Sequence, residues 1–132
     1  MVMVEKQQVF ICITDKILKN TVHDFLLDLN YSALTIHSLE ELLHGERSMA
    51  LSKFIVIMEQ RGEIKKSVSD LRQIHECYTN SYVIVLNDGK IDLTAEEFLS
   101  CGIYGFLKKP LHLIELELML IRVFENQITM QA

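Results

Sequence analysis

The sequence predicts an α/β domain with five parallel strands in one sheet and helices on both of its faces. Short apolar runs alternate with helical patterns five times along the 132 residues, and this alternation is typical of βαβ units. The runs are almost continuously apolar, as expected of strands that are buried on both faces. Hydrophobic residues make up 49% and charged residues 23% of the chain, which indicates one globular domain.

The first apolar run, residues 9–13, predicts the first strand. Either Thr14 or Asp15 can cap the helix that follows, because both side chains can accept a hydrogen bond from the first turn. Asn30 suits the end of this helix. Its inner face is predicted to carry five apolar residues at helical spacing: Leu18, Val22, Phe25, Leu26 and Leu29.

The second strand is predicted at residues 33–36 and the third at residues 54–58. Between them, Ser38 and Glu41 have the spacing of a capping box, in which each residue satisfies a backbone N–H group at the helix start. This pattern predicts a short second helix.

A third helix is predicted after the polar turn that follows the third strand. Its apolar face consists of Ile64, Val68, Leu71, Ile74 and Tyr78. Residues 82–86 predict the fourth strand, and the Asn-Asp-Gly sequence at 87–89 is a loop signal. Thr94 and Glu97 form a second capping box, which predicts a fourth helix.

The fifth strand is predicted at residues 104–107, and Pro110 is expected to open a last helix of about sixteen residues. Its sheet-facing side should carry Leu113, Leu116, Leu120, Val123 and Phe124. A second apolar stripe points away from the first and consists of Leu111, Ile114, Leu118 and Ile121. This stripe either contacts the fourth helix or forms a partner surface, and we favour the partner surface.

Right-handed connections between five βα units favour a flavodoxin-like three-layer sandwich with the strand order 2-1-3-4-5. Ligands of such sheets bind at the carboxyl ends of the strands. The residues at those ends are Thr14, Asp15, Met58, Glu59, Asn87, Asp88, Lys108 and Lys109.

The segment 102–111, GIYGFLKKPL, resembles the motif G-A-x-x-[FY]-[LV]-x-K-P-[FL] of response-regulator receiver domains. Together with the five βα units, the resemblance covers nearly the whole chain. It implies a pocket in which two acidic residues hold Mg²⁺, an aspartate accepts a phosphoryl group, and a hydroxyl and a lysine contact that group. It also implies that the Lys109–Pro110 bond is cis, although about 5–6% of X–Pro bonds in folded proteins are cis.

The pocket matches the family only in part. Asp15 falls on the second acid, Phe106 on the aromatic position and Lys109 on the lysine. Thr14 stands where the resemblance requires the first acid, and Asn87 replaces the hydroxyl residue. Phosphoryl transfer depends on charge neutralisation by the metal and its carboxylates, so these departures predict a degenerate pocket.

The acceptor position falls either on Met58 or, after a shift of one residue, on Glu59. A thioether cannot be phosphorylated, whereas the carboxylate of Glu59 could imitate the phosphorylated state. We expect Asp15 and Lys109 to form a structural ion pair. Asp15 with Glu59 would give at most weak Mg²⁺ binding, so we expect no metal and no other cofactor.

The net charge of −5 disfavours direct nucleic-acid binding. No apolar run has the length of a membrane span, and the N-terminus has charges where a secretory signal would be apolar. Cys12, Cys77 and Cys101 lack metal-ligand spacing and are expected to be reduced and buried in a cytoplasmic protein. The histidines show no ligand spacing either, and His75 is expected to pack partly buried on its helix.

We therefore expect a single receiver-like domain over residues 1–132, with its core at about 8–126 and a tail or linker at 127–132. The expected function is that of a pseudo-receiver, which is not an enzyme. It would act in signalling or transcription regulation by phosphorylation-independent protein–protein interaction with an attached or partner output module. We also expect a homodimer through the fourth helix, fifth strand and fifth helix. The alternative is a divergent receiver that is still phosphorylated on Glu59.

Overall fold

In the computed structural model, which describes residues 6–44 and 53–129, five parallel strands form one sheet. The strands are β1 (Gln8–Cys12), β2 (Ser32–Thr35), β3 (Phe54–Glu59), β4 (Ser81–Asn87) and β5 (Ile103–Lys108). Their order in the sheet is β2-β1-β3-β4-β5. The predicted fold class and strand order are confirmed.

Helices cover both faces of the sheet. They are α1 (Lys16–Asp28), α2 (Glu40–His44), α3 (Val68–Cys77), α4 (Ala95–Ser100) and α5 (Leu113–Thr129). One apolar cluster joins α1 and α5 to the sheet, and a second joins α2 and α3 to the opposite face. No helix within the described residues is both long and apolar enough to cross a membrane.

The strand register brings the polar strand ends to one edge of the sheet. Cys12 lies opposite Met58, which places Glu59 one residue beyond the end of β1. Asn87 lies opposite Lys108, and Lys109 follows directly. Parallel strands end at the same edge of a sheet, so side chains from β3, β4 and the segment after β5 meet there.

Two predicted helix starts differ from the structure, whereas the capping box of Thr94 and Glu97 is confirmed. The carboxylate of Glu41 accepts from the backbone N–H of His37 at 2.7 Å, one residue before the predicted partner Ser38. The helix predicted from Ile64 begins as a 3-10 turn (Ile64–Ser67), and α3 starts after it.

The last helix also starts later than predicted. Pro110 does not open α5, which begins three residues further on at Leu113, and the helix continues to Thr129. The Lys109–Pro110 bond is cis, as predicted. The helix thus runs past the predicted core limit at 126, and residues 130–132 of the predicted tail lie outside the described residues.

The two apolar faces of α5 are largely as predicted. Leu116, Leu120, Val123 and Phe124 are buried against the sheet, and Leu113 is half-buried. In the second stripe, Ile114, Leu118 and Ile121 are 61%, 48% and 36% exposed. Leu111 is the exception, because it is half-buried against the sheet-facing cluster.

Of the three cysteines expected to be buried, only Cys101 is; Cys12 is half-buried and Cys77 is exposed. All three are free thiols. His75 is half-buried, as expected of a packing residue, and its Nδ1 lies 3.1 Å from the carbonyl oxygen of Ser81.

Candidate functional site: a buried carboxylate at the carboxyl edge of the sheet

The side chain of Glu59, at the end of β3, is the centre of the candidate site. Only 2% of this side chain is exposed. Its Oε2 accepts from the Lys109 ammonium at 2.6 Å. Its Oε1 accepts from the backbone N–H groups of Thr14 at 3.0 Å and Asp15 at 3.2 Å. Arg61 lies at 3.5 Å from the same oxygen through its Nε.

These contacts determine the protonation of Glu59. Burial acts to raise the pKa of its carboxyl group, because burial penalises the charged form. The hydrogen bonds from Lys109, Asp15 and Thr14 and the charge of Lys109 outweigh burial, so the pKa lies below the ordinary value. Glu59 is therefore an anion at neutral pH, held in place by charge-assisted hydrogen bonds.

The expected ion pair between Asp15 and Lys109 is wrong. Asp15 is exposed and is the N-cap of α1, where its carboxylate accepts from the backbone N–H of Leu18 at 3.0 Å. A carboxylate at this position satisfies an N–H group that lacks a helical partner and interacts favourably with the helix dipole. Lys109 pairs with Glu59 instead.

The two candidates for the acceptor position have different environments. Met58 is buried in the cluster on the α2 and α3 side of the sheet. The carboxylate of Glu59, the next residue, lies against Lys109. The side chain that approaches the lysine is thus the carboxylate, which follows from the alternation of side chains along a strand.

Cys12, the strand neighbour of Met58, also lies at this edge. Burial raises the pKa of its thiol to about 11, and the charges of Glu41 and Glu59 act in the same direction. Cys12 is therefore a thiol at neutral pH, and the nucleophilic or metal-binding thiolate is disfavoured.

Asn87, at the end of β4, is buried, and its side chain bonds to the loop that follows β4 and to Gln60 after β3. Its Nδ2 donates to the carbonyl of Lys90 at 3.2 Å and to Oε1 of Gln60 at 3.4 Å. Its Oδ1 accepts from the backbone N–H of Gly89 at 3.0 Å. Asn87 thus fixes the loop between β4 and α4.

Phe106, the predicted aromatic position, is half-buried on β5. Its ring lies 5.4 Å from the ring of Phe98 on α4. This contact joins the edge strand to the fourth helix, and the aromatic pair contributes to the packing between them.

Two shallow clefts flank Glu59. A cleft of about 420 Å³ is lined by Gln60, Gly62, Glu63, Asp88, Lys90, Asp92 and Lys109. The other, of about 250 Å³, is lined by Cys12, Thr14, Leu39, Met58, Glu59, Gln60, Arg61, Glu63, Ser67 and Asp70.

Over residues 6–44 and 53–129, no group of three or more His, Cys, Asp or Glu side chains could hold a metal ion.

The structure brings Glu59, Lys109 and the backbone of Thr14 and Asp15 together, and it keeps Met58 and the Asp15 carboxylate apart from Lys109. Sequence reasoning missed Arg61 as a partner of Glu59. In the sequence Arg61 belongs only to a polar turn after the third strand. A turn pattern does not predict where a long, flexible side chain points.

The sequence matches no known protein-family model, and no curated protein matches it. Solved structures do match. A two-component response regulator from Clostridium difficile has a TM-score of 0.72 at 17% identity, covering 92% of this chain and 98% of that one. The chemotaxis protein CheY4 of Vibrio cholerae has a TM-score of 0.69 at 18% identity, covering 90% of this chain and 99% of that one.

A third match is the receiver domain of a sensor histidine kinase from Pseudomonas aeruginosa, whose structure has a magnesium ion coordinated in the active-site cleft. Its TM-score is 0.66 at 20% identity, covering 89% of this chain and 97% of that one. Identities this low establish the fold alone. The chain has the fold of receiver domains, which confirms the resemblance at the level of structure.

Proposed function

We propose that this chain is a pseudo-receiver of two-component signalling that acts by protein–protein interaction without being phosphorylated. It would regulate an attached or partner output module, for example in transcription regulation, in the cytoplasm and without catalysing a reaction. The observation that supports this most strongly is Glu59, whose two carboxylate oxygens are both bound to donors of the same chain.

The charges around Glu59 are unsuited to the Mg²⁺ that the receiver fold implies. One carboxylate already faces the ammonium of Lys109 and the guanidinium of Arg61. Mg²⁺ requires oxygen ligands at near-ideal octahedral geometry, and here it would enter beside two cations. Thr14 offers no carboxylate, and that of Asp15 caps α1. The residues present therefore do not fit the metal.

The alternative is a divergent receiver that is phosphorylated on Glu59. The contact between Glu59 and Lys109 at 2.6 Å favours this alternative, because a phosphoryl acceptor must lie near a cation. Against it stand the burial of the carboxylate and the lack, among the residues that the structure describes, of a group of side chains that fits the metal. The alternative also requires Lys109 to leave its partner before a phosphodonor can approach.

Incubation of the domain with acetyl phosphate and MgCl₂, followed by intact-mass spectrometry, tests the proposal. We expect no mass increase, whereas a receiver with the complete acidic set, treated in parallel, gains one phosphoryl group. An adduct that Glu59→Gln abolishes would establish the alternative. An adduct that persists in Glu59→Gln and maps to Asp15 would also overturn phosphorylation-independent action.

We further propose that the interaction includes self-association through the region of α4, β5 and α5. The supporting observation is the exposure of Ile114, Leu118 and Ile121, since contiguous exposed apolar residues usually mark interfaces. Glu115 and Arg122 lie on one flank of this stripe and are exposed. They are seven residues apart, about 10.5 Å along the helix. In two antiparallel copies of α5 that cross at Leu118, each glutamate would face the arginine of the other copy.

Replacing Leu118 and Ile121 with glutamate should give a folded monomer, because both side chains point away from the core. Analytical ultracentrifugation and circular dichroism measure the two properties. Leu120→Glu is the matched control and should unfold the domain, because Leu120 is fully buried. Self-association is wrong if the wild-type domain is already monomeric at high concentration, or if the double variant unfolds as Leu120→Glu does.

A further inference from the structure

β1, β3 and β5 belong to one parallel sheet, so their carboxyl ends lie at the same edge. In this chain the Glu59 side chain itself reaches from β3 to two other segments. Its Oε1 is held by the backbone that joins β1 to α1, and its Oε2 by the lysine that follows β5. The connection is therefore made by hydrogen bonds within the chain.

The donors that surround this carboxylate form a site of defined chemistry. Two consecutive backbone N–H groups, those of Thr14 and Asp15, converge on one oxygen at 3.0 and 3.2 Å. Consecutive N–H groups that point into one concavity bind anions, and the ammonium of Lys109 supplies a full positive charge on the other oxygen. All of these donors suit a carboxylate, and none of them is an acceptor.

We propose that Thr14, Asp15 and Lys109 form an oxyanion cradle whose ligand is the chain's own Glu59 carboxylate, and that a small free carboxylate occupies the cradle when Glu59 is removed. This inference rests on the proposed function and deepens it. A cradle that is filled from within has no vacancy for a phosphoryl group, and it gives a reason why the site is closed to regulation by phosphodonors.

Two features favour occupation by a free carboxylate. The cradle lies at the surface edge of the sheet beside the two clefts, so an ion can enter when the side chain is shortened. Lys109 is 34% exposed and Thr14 is exposed. An ion from solution can therefore reach their N–H groups without unfolding of the core. Acetate reproduces the terminal carboxylate and one methylene carbon of Glu59, which makes it the probe of matching size.

The test compares Glu59→Ala with the wild-type domain during titration with sodium acetate, with sodium chloride added to keep the ionic strength constant. We expect saturable shifts of the Thr14 and Asp15 amide signals in ¹H–¹⁵N spectra of Glu59→Ala. The melting temperature of this variant should rise by about 5 °C at ten times the dissociation constant. The wild-type amides should not respond, because Glu59 already occupies the cradle.

Glu63→Ala is the matched control, since it removes an exposed glutamate from the same loop. It should behave as the wild-type domain does. Amides of folded Glu59→Ala that do not respond to acetate would overturn the inference, and so would an equal response of the wild-type domain. Folding of Glu59→Ala in acetate but not in chloride would support it.

If Glu59→Ala folds in neither salt, an acid titration of the wild-type domain decides. The Thr14 and Asp15 amide signals should then follow the Glu59 carboxyl signal with a common midpoint. The charged groups that face this carboxylate are Lys109 and Arg61, and the Cys12 thiol, whose pKa is raised to about 11, stays protonated in acid. The carboxyl group of Asp15 belongs to the same segment as both amides, so the titration is repeated with Asp15→Asn, which retains a side-chain oxygen to accept from the N–H of Leu18. Separate midpoints for the amides and the carboxyl group would overturn the inference.

This inference and the proposed function fail separately. A mass adduct on Asp15 from acetyl phosphate would overturn phosphorylation-independent action and leave the cradle intact. If the Thr14 and Asp15 amides of Glu59→Ala do not respond to acetate, the cradle inference is wrong. The absence of a phosphoryl adduct would in that case still support the proposed function.

Discussion

Replacement of Lys109 by methionine removes the cation from Glu59 and keeps most of the aliphatic side chain. Removing one partner of a fully buried ion pair costs about 3–5 kcal/mol, and a hydrogen bond to a charged group contributes about 1.5–3 kcal/mol. Lys109 is 34% exposed, so water can partly replace it, and Glu59 retains the donors of Thr14 and Asp15. We therefore expect a loss of about 2 kcal/mol in the free energy of unfolding.

Urea unfolding at pH 7, followed by circular dichroism, measures this loss, and a fall in melting temperature of about 6–8 °C should accompany it. Lys108→Met is the matched control, because Lys108 is exposed and is the preceding residue. A double-mutant cycle with Glu59→Gln separates the pair from the individual side chains, and the coupling energy should be about 1 kcal/mol.

The reasoning is refuted if Lys109→Met and Lys108→Met lose the same stability to within about 0.5 kcal/mol, the usual range for surface substitutions. A coupling energy near zero would show that Lys109 stabilises the domain independently of Glu59. Either result would mean that solvent screens the contact with Glu59 despite the burial of the carboxylate.

Three further predictions concern acid stability, a glycine turn and a helix cap. The folded-state pKa of Glu59 is lowered, so its stabilisation should be complete above about pH 4.3, the unfolded value, and lost as the pH falls through the folded-state pKa. Urea unfolding should show the wild-type domain and Glu59→Gln converging in acid; a constant difference would contradict this. Gly102→Ala should cost about 1–3 kcal/mol, because Gly102 has φ 68° and a Cβ there would lie 2.5 Å from Nδ1 of His75. Adding His75→Ala should remove the steric clash but leave the cost of the positive φ. An unchanged urea midpoint of unfolding for Gly102→Ala would show that this backbone is not strained. Thr94→Ala should cost about 1 kcal/mol by loss of its box with Glu97, whereas Thr94→Ser should retain most of the stability.

The fold was predictable because burial leaves a periodic signal in the sequence. The strands that are buried on both faces read as apolar runs, and their bounds differ from the structure by a residue or so at each end. The capping box at Thr94 was predictable because it depends on residues three positions apart. The box at Ser38 was not, since Glu41 reaches one residue further back to His37.

Except for Arg61, the members of the candidate site were predictable from the sequence, whereas their pairings were not. The Asp15 carboxylate could either cap α1 or bind Lys109. It caps α1, because an N–H group at a helix start has no other partner within the helix. Glu59 can reach Lys109 because its side chain follows the strand alternation away from the buried Met58. Such choices depend on three-dimensional distances that spacing along the sequence does not contain.

The position of Lys109 relates the closed pocket to the proposed interaction surface. Its backbone N–H donates to the carbonyl of Asn87 at 2.8 Å, and its ammonium binds Glu59. The segment that leads into α5 is thus bound to the ends of both β3 and β4, through Glu59 and Asn87. The exposed stripe centred on Leu118 lies on that helix. If self-association uses this stripe and the pocket is not phosphorylated, as we propose, the extent of self-association depends on protein concentration through mass action.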